Sequence, residues 1–156
     1  MKKSLLLTTA TFILLSCGLH AAPKEDGTID KFIRFYFSSW SQRDFAGYGG
    51  CFHQRGVVSY VSKGDQAILW NARRFVAEQE EIQSVSKATE VPLKISIKSA
   101  DEKSAFVVVE WELTDQTGSK KTGIDWFHLV RKSPEEAWKI LYLSFWSHDT
   151  AKKPGG

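Results

Sequence analysis

Leu93-Lys94-Ile95-Ser96-Ile97-Lys98, Phe106-Val107-Val108-Val109-Glu110-Trp111-Glu112-Leu113, Thr122-Gly123-Ile124-Asp125-Trp126-Phe127-His128-Leu129-Val130 and Trp138-Lys139-Ile140-Leu141-Tyr142-Leu143-Ser144-Phe145-Trp146 are four strand-forming stretches in the C-terminal half. The first alternates apolar and polar residues, the signature of a strand with one wet face. Ala100-Asp101-Glu102-Lys103, Asp115-Gln116-Thr117-Gly118-Ser119 and Ser133-Pro134-Glu135-Glu136 separate them. Each connection is of hairpin size, so the half reads as an antiparallel meander. The last two strands are apolar on both parities, which predicts that the second sheet face is also covered, most simply by another copy of the sheet. A homodimer through that face is therefore expected.

Upstream the period changes. Ile29, Phe32, Ile33, Tyr36 and Trp40 recur at helical spacing, with Phe35 and Phe37 widening the stripe. Thr28 is a candidate N-cap and Asp30 an acidic residue in the first turn, where the helix dipole favours it. Arg43 to Tyr48 reads as a break and a short second helix, weakened at its end by Gly49-Gly50. Gly56 to Val61 is a strand, stopped by Ser62-Lys63-Gly64-Asp65, and Ala67 to Trp70 another. Asn71 is placed to cap a third helix bearing Phe75, Val76, Gln79 and Ile82. Helices followed by a run of strands predict an α+β domain, its N-terminal helices packed on a curved antiparallel sheet.

The chain has 156 residues, 42% hydrophobic and 13% aromatic, enough for one domain with a real core and too apolar for a disordered chain. A basic start (Lys2-Lys3) followed by Leu5 to Leu15 reads as a signal peptide over residues 1–21, which predicts an exported protein. Two cleavage readings compete. Leu14-Leu15-Ser16-Cys17-Gly18 resembles a lipobox, which would lipidate Cys17 and anchor the chain at the cell envelope. Leu19-His20-Ala21 is an imperfect small-residue site that would release a periplasmic protein. Residues 22–27 then form a linker, 28–148 the domain and 149–156 a tail. Lys2 and Lys3 are two of the 21 basic residues, so maturation leaves 19 against 18 acidic ones. That balance argues against a nucleic-acid partner. Cys51 is then without an intramolecular partner and reads as a small core residue.

With these elements placed, the chain resembles the nuclear transport factor 2-like superfamily, in its SnoaL-like branch, over about residues 28–148. The marks are Gln42-Arg43-Asp44-Phe45 after the first helix, Cys51-Phe52-His53 after the second, the strand to Val61, and four hairpin-linked strands ending in Ser144-Phe145-Trp146-Ser147. The resemblance implies a cone with a pocket at its open end and sheet-to-sheet dimers. The ketosteroid isomerases of that superfamily supply a sharper comparison. Their first-helix tyrosine, an oxyanion donor, falls on Tyr36, and their second donor, an aspartic acid, falls near Asp125. Where their general base should stand this chain has Ser59 and Tyr60, neither of them an effective base near neutral pH.

The expectation is a pocket for a small apolar or aromatic ligand, lined by Tyr36, Trp40, Tyr60, Trp111, Asp125 and Trp126, binding without catalysis. Asp125 interrupts an apolar strand, and an acid kept neutral by an apolar pocket can donate a hydrogen bond. The alternative is a SnoaL-like isomerase, dehydratase or hydrolase using Asp125, His53 or His128 as base. Strand alternation puts His128 on the opposite face from Asp125. A further alternative is an envelope adaptor that binds another protein through its sheet. Glu110 and Glu112 read as a solvated stripe paired with Lys on the next strand. No cofactor or metal is expected, since the histidines lack ligand spacing and no phosphate-binding glycine loop or nucleophile elbow occurs.

Overall fold

The computed structural model describes residues 27–61 and 67–148. The expected signal peptide with Cys17 and the expected linker, in residues 1–26, the stretch 62–66 and the expected tail at 149–156 lie outside the described residues. The elements are α1 (Gly27–Ser41), α2 (Phe45–Gly50), β1 (Phe52–Val61), β2 (Ala67–Asn71), α3 (Ala72–Ser86), β3 (Thr89–Ala100), β4 (Ser104–Thr114), β5 (Lys120–Val130) and β6 (Lys139–His148). They make one six-stranded sheet in the order β2-β1-β6-β5-β4-β3, with the helices packed on one face. The α+β architecture expected from the sequence is the one observed. Among the described residues no helix is long and apolar enough to cross a membrane.

Thr28, the expected N-cap, lies inside α1, which includes Gly27, and its hydroxyl accepts from Trp138 Nε1. Asp44 caps α2 by accepting from Gly47 N, and Asn71 caps α3 by accepting from Arg74 N. The meander forms through β3, β4, β5 and β6, and β1 joins it in parallel, Phe52 opposite Ile140 and Tyr60 opposite Phe145. Cys51 is buried at the end of α2, and Lys94 and Lys120 pair with Glu110 and Glu112 on the wet face.

Cross-strand register sorts the covered face into rows, because opposed residues share a face. Ile97, Val107, Phe127, Leu143 and Val58 form the row at the heart of the core, against Ile29, Ile33 and Phe37 of α1. The next row holds Ile95, Val109, Asp125, Phe145 and Tyr60, the one after it Pro92, Trp111, Gly123 and Ser147, and the last Glu90, Leu113 and Lys121. Polarity thus rises toward one end of the sheet.

Three expectations need correction. Leu93 is 58% exposed rather than grouped with Ile95 and Ile97, because the β3–β4 register shifts between Pro92 and Lys94. Ile82 is exposed, since the covered face of α3 runs through Ala72, Phe75 and Gln83, whose amide donates to the carbonyls of Ala88 and Trp40. Phe35 is half exposed while Phe37 enters the core.

Truncating Leu143→Ala opens a void in the central row and is expected to cost about 2–5 kcal/mol. Leu93→Ala, on the exposed bulge, should stay within about 0.5 kcal/mol of wild type. Urea midpoints of the two variants measure the contrast.

Candidate functional site: a carboxyl pair in an aromatic cavity

A cavity of about 260 Å³ opens where the polar rows of the sheet run out from under α1 and α3. Tyr36 and Trp40 enter it from α1, Tyr48 from α2, Phe75 and Gln79 from α3, and Tyr60 from β1. The sheet supplies Glu90, Trp111, Leu113, Lys121, Asp125, Phe145 and Ser147.

Each polar group is held from a different element. Trp111 Nε1 donates to Asp125 Oδ1 at 2.6 Å, across β4 and β5. That contact depends on Gly123, because a Cβ there would lie 2.1 Å from the Trp111 ring and 2.4 Å from the Trp146 carbonyl oxygen. Trp40 Nε1 donates to Gln79 Oε1, tying α1 to α3 over the cavity. The hydroxyls of Tyr36 and Tyr48 lie 2.9 Å apart. One donates to the other, so the pair retains one hydroxyl hydrogen for a third group. Ser41 Oγ accepts from Glu90 N and donates to Glu90 O, which locks the backbone that presents the Glu90 carboxyl.

The two acids share a poorly solvated space. Asp125 is 4% exposed, and burial pushes it up to about 8 against the lowering effect of the Trp111 hydrogen bond. Burial, and then the nearby Asp125 charge, hold the Glu90 carboxyl well above the ordinary carboxylate range. Burial likewise raises both phenols, Tyr36 and Tyr48. Among the described residues no cation forms an ion pair with either acid. Lys121, which shares the cavity lining with them, is an exposed side chain at the rim. Near neutral pH Asp125 is predominantly a neutral acid, able to donate a hydrogen bond while Oδ1 accepts one.

Five of the residues predicted to line a pocket, Tyr36, Trp40, Tyr60, Trp111 and Asp125, meet in this cavity. Trp126 does not. It is 51% exposed on the opposite sheet face beside Trp146, because strand alternation that turns Asp125 inward turns its neighbour outward. His128 is on that outer face too, stacked on Phe106 and hydrogen-bonded to Ser104 Oγ. His53 lines a separate surface cavity with Phe52 and Arg131, and its Nδ1 accepts from Arg55 N. Neither histidine can serve as base in the aromatic cavity. Ser59 is bonded to the Tyr142 hydroxyl at 2.7 Å, leaving Tyr60 as the β1 residue at the site. Sequence reasoning missed Glu90, Tyr48 and Gln79. Among the described residues no group of three or more His, Cys, Asp or Glu side chains could hold a metal ion.

No protein-family profile matches the chain, and no curated protein matches it by sequence. Solved structures do resemble it. A nuclear transport factor 2-like protein of unknown function from Shewanella baltica is 15% identical, with TM-score 0.58 over 78% of this chain and 92% of that one. The β subunit of the benzoate 1,2-dioxygenase from Burkholderia mallei is 15% identical, with TM-score 0.66 over 77% and 88%. A protein of Novosphingobium aromaticivorans provisionally assigned as a scytalone dehydratase is 13% identical, with TM-score 0.65 over 78% and 83%. The chain therefore has the nuclear transport factor 2-like fold, the fold that the sequence resemblance implied.

The raised acid has a stability consequence. From about pH 4, near the ordinary value of 3.8, up to about 8, the native protein keeps a proton on Asp125 that the unfolded chain releases. Stability therefore falls as pH rises through that window, by at most about 1.4 kcal/mol per pH unit for one group. Glu90 adds in the same direction. Asp125→Asn keeps an acceptor for Trp111 and removes the titration, so its urea midpoint should vary less between pH 5 and 8. Equal slopes in the two proteins would contradict the assignment.

Proposed function

We propose that this is an exported protein that binds a small aromatic or apolar molecule in the cavity beneath α1 and α3. The observation that carries the reading is the cavity itself, which gathers Tyr36, Trp40, Trp111 and Phe145 around the desolvated Asp125 carboxyl. Apolar walls with a few fixed polar groups are the usual make-up of a small-molecule site. Binding without turnover is supported by β1, where Ser59 is bonded away to Tyr142 and Tyr60 is no base. The run from Lys2 to Leu15 supports export. With it goes either a lipid anchor at Cys17 or release into the periplasm.

One observation favours a second reading, proton-transfer catalysis with Asp125 and Glu90 as the acid–base pair. Two carboxyls shifted in one cavity are a common feature of active sites. Turnover with a bell-shaped pH dependence that is lost in Asp125→Asn would select it over binding alone.

Two experiments test the main proposal. Indole and 1-naphthol, titrated into isotopically labelled protein, should shift the side-chain N–H resonances of Trp40 and Trp111 first. Leu113→Trp, which fills the cavity wall, should weaken that binding at least tenfold. Shifts confined to the outer sheet face or to the cavity at His53 would refute the site.

Pairing of two copies through the outer face is the second part of the proposal, supported by Phe106, Trp126 and Tyr142, which are 50%, 51% and 39% exposed there. Light scattering should find a dimer that Trp126→Glu converts to monomer. A monomeric wild type at tens of micromolar would remove this part and leave the cavity reading untouched.

A further inference from the structure

We propose that the cavity selects an organic ammonium ion, an amine with an aromatic or alkyl body whose cationic nitrogen lies between the Glu90 and Asp125 carboxyls. The inference rests on the reading that the cavity is the binding site, and it adds the charge class of the ligand.

The argument starts from what the acids lack. Buried carboxylates in proteins are paired with cations or fully hydrogen-bonded. Asp125, though almost wholly buried, uses one oxygen on Trp111, and among the described residues its other oxygen accepts no hydrogen bond. The Glu90 side chain has no hydrogen bond among the described residues, although its backbone is held on both sides by Ser41. The titratable groups lining the cavity are Tyr36, Tyr48, Tyr60, Glu90, Lys121 and Asp125. Lys121 is the single cation in that set; it is exposed at the rim and forms no ion pair with either acid among the described residues. Among the described residues the lining therefore holds two acids with no ion-paired cation, which leaves a place for a ligand's counter-charge.

The walls suit the same guest. Tyr36, Trp40, Tyr48, Tyr60 and Trp111 present electron-rich rings around the acids, and such rings attract cations through their quadrupoles. An anion would meet two acids, and the one basic side chain of the lining, Lys121, is exposed at the rim. A neutral aromatic would fill the space but leave both acids to hold their protons. An ammonium ion satisfies both features at once, and it displaces a proton as it does so, because Asp125 is protonated before the ligand arrives.

Three probes of similar shape separate the possibilities: 2-phenylethylamine, its neutral counterpart 2-phenylethanol, and the trimethyl(2-phenylethyl)ammonium ion, whose charge is permanent. Calorimetric titration of the whole protein should show the amine binding at least tenfold tighter than the alcohol at pH 8. For the permanent cation, affinity should rise by up to tenfold per pH unit between pH 6 and 8, with proton release detected by comparing buffers of different ionisation enthalpy. Asp125→Asn and Glu90→Gln should each weaken the cations at least tenfold and lower the ratio of amine to alcohol affinity. The pH dependence in the unmodified protein keeps the test decisive should a variant fold poorly. If the alcohol binds as tightly as the amine, and loses affinity as pH rises, the acids act as neutral donors; the charge inference falls and the binding site stands. If none of the probes shifts Trp40 or Trp111, both fall.

Discussion

The parallel pairing of β1 with β6 is the contact on which the remaining architecture depends. Parallel strands cannot be joined by a tight turn, and here most of the chain runs between them: β2, α3 and the first three strands of the meander. Closing that long loop is entropically costly, and the junction is fastened accordingly. Ile140 N donates to the Cys51 carbonyl at 2.8 Å, Lys139 Nζ reaches the Gly50 carbonyl, and Val58 and Leu143 meet in the fully buried central row. Once β1 is seated, α1 and α3 are brought over one face of the sheet. The Trp40–Gln79 bond and the Gln83 contacts to Trp40 and Ala88 then hold them together. The cavity is the space this arrangement leaves beyond the last apolar row.

How much of this is legible in the sequence follows from the range of the interactions concerned. Local signals were readable: the stripe from Ile29 to Trp40, the cap at Asn71, and the hairpin-sized turns of the meander. Alternation along β5 was enough to send Asp125 and His128 to opposite faces. The same rule excludes Trp126 from any site built on Asp125, so that misplacement was avoidable.

Glu90 was not legible, and the reason is a single extra residue. Counting by twos back from Ile97 and Ile95 puts Leu93 and Val91 on the covered face and Glu90 in solvent. The register shift between Pro92 and Lys94 reverses the parity. Leu93 is expelled, Pro92 faces Trp111 inward, and Glu90 turns in opposite Leu113. Nothing in the stretch Glu90-Val91-Pro92-Leu93 announces the bulge, apart from a proline that cannot donate to the ladder. Its other determinant, the double hydrogen bond to Ser41, joins residues 49 apart in sequence.

The bulge therefore turns a glutamate that a regular strand would leave in solvent into half of an acid pair in the cavity, at a cost to stability that the Trp111 hydrogen bond to Asp125 relieves only in part. Turning Glu90 outward would need only a regular strand, and an amide at position 125 would satisfy Trp111 equally well. A lysine or arginine reaching in from Leu113 or Gln79 would neutralise both acids. None of these cheaper arrangements is present. Instead Gly123 makes room for Trp111 against Asp125, and Ser41 grips the Glu90 backbone, so two separate devices hold the carboxyls in an apolar setting. Groups fixed in an unfavourable environment mark function more strongly than groups fixed in a favourable one, since packing alone selects against them. On that ground the acid pair, rather than the aromatic walls that any core could supply, is the feature that defines what this cavity is for.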